Sequence, residues 1–300
     1  MEFSIEKVEI LLLIAAIVAM VARRLKIPYT IALVLAGIVL AISPLTPEVS
    51  LSKELIFTVF LPPLIFEAAL YIRWSELRRD FPVIITFATI GVLLSAGITA
   101  AGMHFLVNWQ WESAILFGVL IAATDPVSVI ATFKEAGVHG RLRLLVEAES
   151  LFNDSTAAVA FVIALIFASG GQVTLSGTLL TLLTMVFGGI LCGVLVAGGL
   201  LLLAGRTNDH LIAITLTTLA AYGSFLLAEH FHLSDVLAPL SAGLLTGNIG
   251  SLGSISDKGR EAVESFWEYV AFDGKSLIFI LIGIRETHKN FVSLIKPIFI

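Results

Sequence analysis

Apolar runs of about 20 residues, the length an α-helix needs to cross a bilayer, recur along the whole chain, and no other feature restricts its fold so strongly. They fall at approximately 5 to 22, 28 to 43, 54 to 72, 82 to 107, 111 to 133, 143 to 169, 177 to 204, 210 to 229, 234 to 249 and 261 to 284, and a further run begins near the end. Only 14% of residues are charged and 58% are apolar, with a mean hydropathy of +1.00, whereas a soluble domain carries about 25% charged residues. The pattern predicts an all-α polytopic membrane protein, one transmembrane domain over residues 1 to 300 with ten complete spans and the start of an eleventh.

The first run lacks a basic leader and a small-residue cleavage site before Arg23, so it is expected to be retained as a span. Cys192 is the sole cysteine, so it has no intramolecular disulfide partner. The net charge of −5 matters less than where the basic residues sit. Connectors after the odd-numbered spans hold twelve of them: Arg23, Arg24, Lys26, Arg73, Arg78, Arg79, Lys134, Arg141, Arg143, Arg206, Lys258 and Arg260. The opposite side holds Lys7, Lys53, Arg285 and Lys289. Cytoplasmic loops collect Lys and Arg, which predicts an N-terminus outside. Trp74, Trp109, Trp111 and Trp267 all fall near expected span ends, where indoles favour the headgroup region. Gly189 and Gly193, at GxxxG spacing in the seventh run, read as a close helix contact or as a dimer face.

Ionisable residues inside spans are costly and mark ion paths, proton relays or paired charges. This chain places Glu67, Asp125, Glu147, Glu149, Asp154, Asp273 and Lys275 there. Asp154, 11 residues beyond Arg143, lies about 16 Å deep at a rise of about 1.5 Å per residue. Asp125, 14 residues beyond Trp111 on the preceding, antiparallel span, lies about 20 Å from the other surface. The two carboxylates thus have similar depth and can share a site. In "ESLFNDST", Ser150 is four residues before Asp154 and on its face, whereas Glu149 and Asn153, an i,i+4 pair, are expected to look elsewhere. Glu149 is better explained by a buried ion pair or hydrogen-bond network than by direct ion binding, and Glu147, a turn nearer the cytoplasm, as lining a funnel.

In "ATDPVS", Pro126 removes a backbone donor and pushes Asp125 out of helical geometry. A helix interrupted in mid-membrane needs protein or a water-filled cavity around its free carbonyls, and such discontinuous spans are the usual ion sites of secondary transporters. The third span adds Glu67 below Pro62 and Pro63. Oxygen ligands without Cys or His suit a hard cation such as Na+ rather than a transition metal.

These segments resemble the NhaP and NHE type of monovalent cation/proton antiporters: "FLPPLIFEAAL", "AATDPVSV", "ESLFNDST" and "FWEYVAF" leading to "SLIFILIGI", in the expected order. The resemblance implies an antiporter fold with inverted repeats, crossed interrupted helices and a dimerisation region, working by alternating access. It implies a secondary transporter, not an enzyme, that exchanges Na+, or Li+ or K+, for H+ in a bacterial or archaeal plasma membrane as a homodimer among lipids. Neither a cofactor nor a nucleic-acid partner is implied. Asp154 would be the exchanging carboxylate, with Asn153 organising it. Asp125, Thr124 and Ser150 would supply cation ligands, Glu67 a water-mediated contact, and Glu149 would pair with an arginine on a later helix. The Asn153-Asp154 pair resembles the electroneutral branch, one cation per proton.

Two departures stand out. The chain stops at "KPIFI", where the family continues for further spans, so a C-terminally truncated second repeat is expected. Where the family shows a small or apolar pair and then Asn, this chain has "DGK", Asp273 to Lys275. Residues two apart on a helix do not face each other, so Lys275 is expected to pair with Asp154 or Asp125, or with another acid, unless Gly274 breaks the helix and lets Asp273 reach it. A non-transporting sensor or channel, and an intramembrane aspartyl protease, are the competing readings; no GxGD sequence supports the latter.

Overall fold

The structure, a computed structural model, describes residues 5–42, 55–124, 140–169, 175–204, 209–249 and 257–286; Asp125 falls outside these residues, as do some helical side chains, Asp154's among them. Among the described residues the secondary structure is helical throughout. Helices α1 (Ile5–Leu25) and α2 (Tyr29–Ile42) are followed by α3, a π-helical turn Leu55–Phe60 running into Leu61–Leu70. Helix α4 is Trp74–Val107, with a second π-helical stretch at Phe87–Gly91. Then come α5 (Trp111–Ala122), α6 (Arg141–Ala168), α7 (Leu175–Ala204), α8 (His210–His230), α9 (Leu237–Ile249) and α10 (Asp257–Glu286).

The ten helices follow the ten apolar runs, but they are not ten uniform spans. Trp74–Val107, Leu183–Ala204 and His210–His230 are each long and apolar enough to cross a membrane, whereas Tyr29–Ile42 and Trp111–Ala122 are shorter apolar helices. Helix α4 begins eight residues earlier than the hydrophobic run: Arg78 and Arg79 stand inside it rather than in a connector. The charges conceal an amphipathic turn, whose inner face carries Leu77, Asp80 and Ile84, all buried. Prolines 62 and 63 occupy the first turn of the regular part of α3, where a missing N–H costs nothing.

Two helix groups form. In one, α10 lies against α1, α2, α3 and α8, while α9 lies against α3, α7 and α8. In the other, α4, α5 and α6 pack on one another. A buried cluster joins the groups: Ile65, Ala69 and Ile72 from the α3 side, Leu77 and Ile84 of α4, Leu144 and Ala148 of α6, and Leu240 of α9. Large side chains such as Leu202, Leu203, Ile98 and Phe105 point outward, as a lipid-facing surface requires.

The glycines of α7 settle their sequence ambiguity in favour of helix packing. A side chain at Gly189 would come within 2.6 Å of the Ser234 carbonyl oxygen, and one at Gly193 would collide with the Ala238 carbonyl and the Ser241 hydroxyl. The stripe therefore faces α9 within the chain. Trp267 also departs from the expected interfacial belt. It is fully buried, packed on Phe66 at a ring separation of 4.7 Å, and its indole N–H donates to Thr217 Oγ1 at 3.0 Å. That hydroxyl satisfies the one polar atom of the ring, so the indole can leave the headgroup region for the core.

Candidate functional site

The site is built where α5 ends against the middle of α6. Asn108 closes α4 in the left-handed conformation (φ 60°), its N–H bonded to the His104 carbonyl, and Trp111 starts α5 three residues later. The tight turn forces α4 and α5 into an antiparallel hairpin. Small residues then bring the hairpin close to α6: Val92 and Ala96 of α4, Val119 and Ala122 of α5, and Ala157 and Ala164 of α6 share one buried cluster. Helix α5 stops at Ala122, and Ala123 turns extended (φ −68°, ψ 134°), just ahead of the Asp125-Pro126 pair that the sequence marks as a break.

Helix α6 meets that break with a run of polar side chains. Asn153 is fully buried and Ser150 nearly so. The Asn153 amide donates to Thr124 Oγ1 at 2.6 Å and to Glu149 Oε1 at 2.9 Å. Its Oδ1 accepts the Thr124 backbone N–H at 3.4 Å. Thr124 Oγ1 and Ser150 Oγ lie 3.0 Å apart and share a hydrogen bond. The carboxylate of Glu149 takes only donors when ionised, which fixes the orientation of the amide. Asn153 thus stands in for a further helical turn, pairing backbone and side chain of Thr124, the second residue beyond α5.

Four of the expected residues, Thr124, Glu149, Ser150 and Asn153, therefore come together in one network. The division of α6 into two faces, with Asn153 turned away from the Ser150 face, is corrected. Residues three apart are only about 60° apart around a helix, and Thr124 touches both. Glu149 does belong to a hydrogen-bond network, with Asn153 donating to it. Asp154 follows Asn153 in the same helix, and Asp125 follows Thr124; Asp125 and the Asp154 side chain lie outside the described residues.

Glu67 and Lys275 meet elsewhere, across the contact of α3 with α10. Lys275 Nζ is 3.5 Å from Glu67 Oε2, both largely buried. The ion pair described for Lys275 is thus with this acid. Helix α10 runs unbroken through Gly274, so Asp273 is carried to a different face, one turn beyond Tyr269. Depth alone had favoured the aspartates, but depth does not fix azimuth, and α3 is the neighbour α10 presents to that face.

Two ion pairs at the N-terminal end of α6 complete the surroundings. Arg143 Nε sits 2.5 Å from Glu147. Arg141 reaches across to Asp80 of α4 at 2.8 Å, and this buried aspartate went unremarked among the in-span charges. Its signal in the sequence is the spacing Leu77, Asp80, Ile84, an inward stripe in which one member is charged.

Residues 10–299 match the family model described as "Sodium/hydrogen exchanger, transmembrane". The Na(+)/H(+) antiporter ApNhaP of Aphanothece halophytica is 40% identical over 259 residues, covering 86% of this chain and 50% of its own. The low-affinity Na(+)/H(+) antiporter NhaS1 of Synechocystis is 37% identical over 286 residues, covering 94% and 54%. The chain thus spans about half the length of these relatives. The sodium proton antiporter MjNhaP1 of Methanocaldococcus jannaschii superposes with a TM-score of 0.77 at 24% identity, over 95% of this chain and 70% of that one, a likeness of fold.

Proposed function

Because the chain belongs to the sodium/hydrogen exchanger family, we propose that it is a secondary transporter exchanging Na+ for H+ by alternating access, with Asp154 as the shared carboxylate. The observation that carries this reading is the network Thr124–Asn153–Ser150, which ties the end of α5 to α6 at the residues flanking Asp125 and Asp154. A carboxylate together with hydroxyl oxygens offers the hard donors that Na+ or Li+ takes. Asp125, Thr124 and Ser150 complete the donor set.

The exchange is a competition. A proton and a cation cannot occupy one carboxylate together, so loading Na+ on Asp154 releases its proton, and protonation on the opposite side releases Na+. Asn153 keeps the neighbouring position neutral, which gives one cation per proton. Transport falls at low pH, where Asp154 stays protonated, and at high pH, where protons are scarce. As the resemblance implies, the protein works as a homodimer in the plasma membrane, and the placing of its basic residues puts the N-terminus outside.

The test is sodium uptake driven by a pH gradient in proteoliposomes, wild type beside Asp154→Asn. Uptake by the wild type that falls to the leak rate in the variant supports the reading. Equal uptake by both overturns it.

A further inference from the structure

Lys275 is the feature the exchange reaction leaves unused. It lies on α10, its ammonium 3.5 Å from the Glu67 carboxylate of α3, with 23% of its side chain and 15% of Glu67's exposed. Asp273, the nearer acid in sequence, lies two residues away on the unbroken α10 and so on a different face. Gly274, beside Lys275, packs on Phe60 and Leu64 of α3, which keeps the two helices close at this level. Glu67 is also within electrostatic reach of Glu147 on α6 and Glu268 on α10. Glu147 is itself paired with Arg143, so Lys275 is the cation described beside Glu67. Without it, Glu67 would add an uncompensated negative charge beside the helix that carries Asp154.

We infer that Lys275 is a tethered cation that occupies Glu67 and so lowers the affinity of the neighbouring site for the transported cation. A fixed ammonium at this position does two things. It takes the place a mobile cation would hold at Glu67, and it opposes the approach of a second positive charge to Asp154. Both effects act on affinity rather than on the exchange step, so Lys275 is an affinity-setting residue for the same reaction. The inference rests on the proposed cation site at Asp154.

Sodium affinity of the purified protein, read as the midpoint of thermal stabilisation by NaCl against choline chloride, separates the two. Lys275→Gln is expected to tighten sodium binding about tenfold, as loss of a fixed positive charge that opposes the cation would do at an effective dielectric of about 20. Glu67→Gln, which leaves the ammonium unopposed, is expected to weaken it by a similar factor. The double variant, Glu67→Gln with Lys275→Gln, returns to near the wild-type value, and it keeps the test alive should one single variant fail to fold. Lys275→Arg retains the charge and binds as the wild type does. An unchanged or weaker affinity in Lys275→Gln, no sodium response in that variant, or a double variant far from the wild type overturns the inference. Asp154→Asn serves as the control for the site itself: a sodium response that survives it counts against the proposed function, whatever Lys275 does.

Discussion

Asn153 uses its whole amide: both N–H groups and the carbonyl oxygen find partners in Glu149 and Thr124. Asn153→Ala removes all three hydrogen bonds and leaves buried donors and acceptors without partners, at about 1–3 kcal/mol for each stranded group. The expected outcome is a clear fall in the unfolding temperature, with sodium affinity reduced as Thr124 loses its anchor. Asn153→Asp keeps the shape but cannot donate to Glu149, so it is expected to destabilise as well; thermal unfolding in detergent measures both. The identity of these residues was legible in "ESLFNDST", because polar groups in a hydrocarbon run need partners. Which partner each one took was not. Helical spacing placed Ser150 and Asn153 on different faces, when an angle of about 60° lets one threonine serve both. For Lys275, a rise along the axis gave depth and left open which acid stands opposite; the one described beside it is Glu67 on α3.

At the scale of elements, close helix contacts decide the geometry. Gly193→Leu inserts a side chain where the Ala238 carbonyl and the Ser241 hydroxyl already sit. Overpacking of this kind costs about 1–3 kcal/mol, and the expected result is a lower unfolding temperature without a change in oligomeric state. A loss of dimer with monomer stability intact would instead restore the dimer-face reading. The hydrophobic runs gave the helices and their order, because an apolar stretch of bilayer length leaves few alternatives. They did not give the start of α4, where Arg78 and Arg79 sit on the outer side of a turn whose inner side is buried. Nor did they place Trp267 in the core, because a single hydroxyl on α8, Thr217, changes where an indole can reside.

Among the described residues, one helix group carries Glu67 and Lys275 and another, α4 to α6, carries the Thr124–Asn153 network. The two meet through the apolar cluster around Ile65, Leu77, Ala148 and Leu240. Apolar contacts of this kind can slide, as the proposed alternating access requires. The central claim is that one carboxylate holds either a proton or a cation. It is tested most directly by adding NaCl to the purified protein in weakly buffered solution and counting the protons released with a pH indicator. The protons released for each sodium bound are expected to equal the fraction of sites protonated beforehand, about one below the pH of half-protonation and about one half at it, with no release from Asp154→Asn. Sodium binding without proton release, or release that persists in the variant, would contradict it.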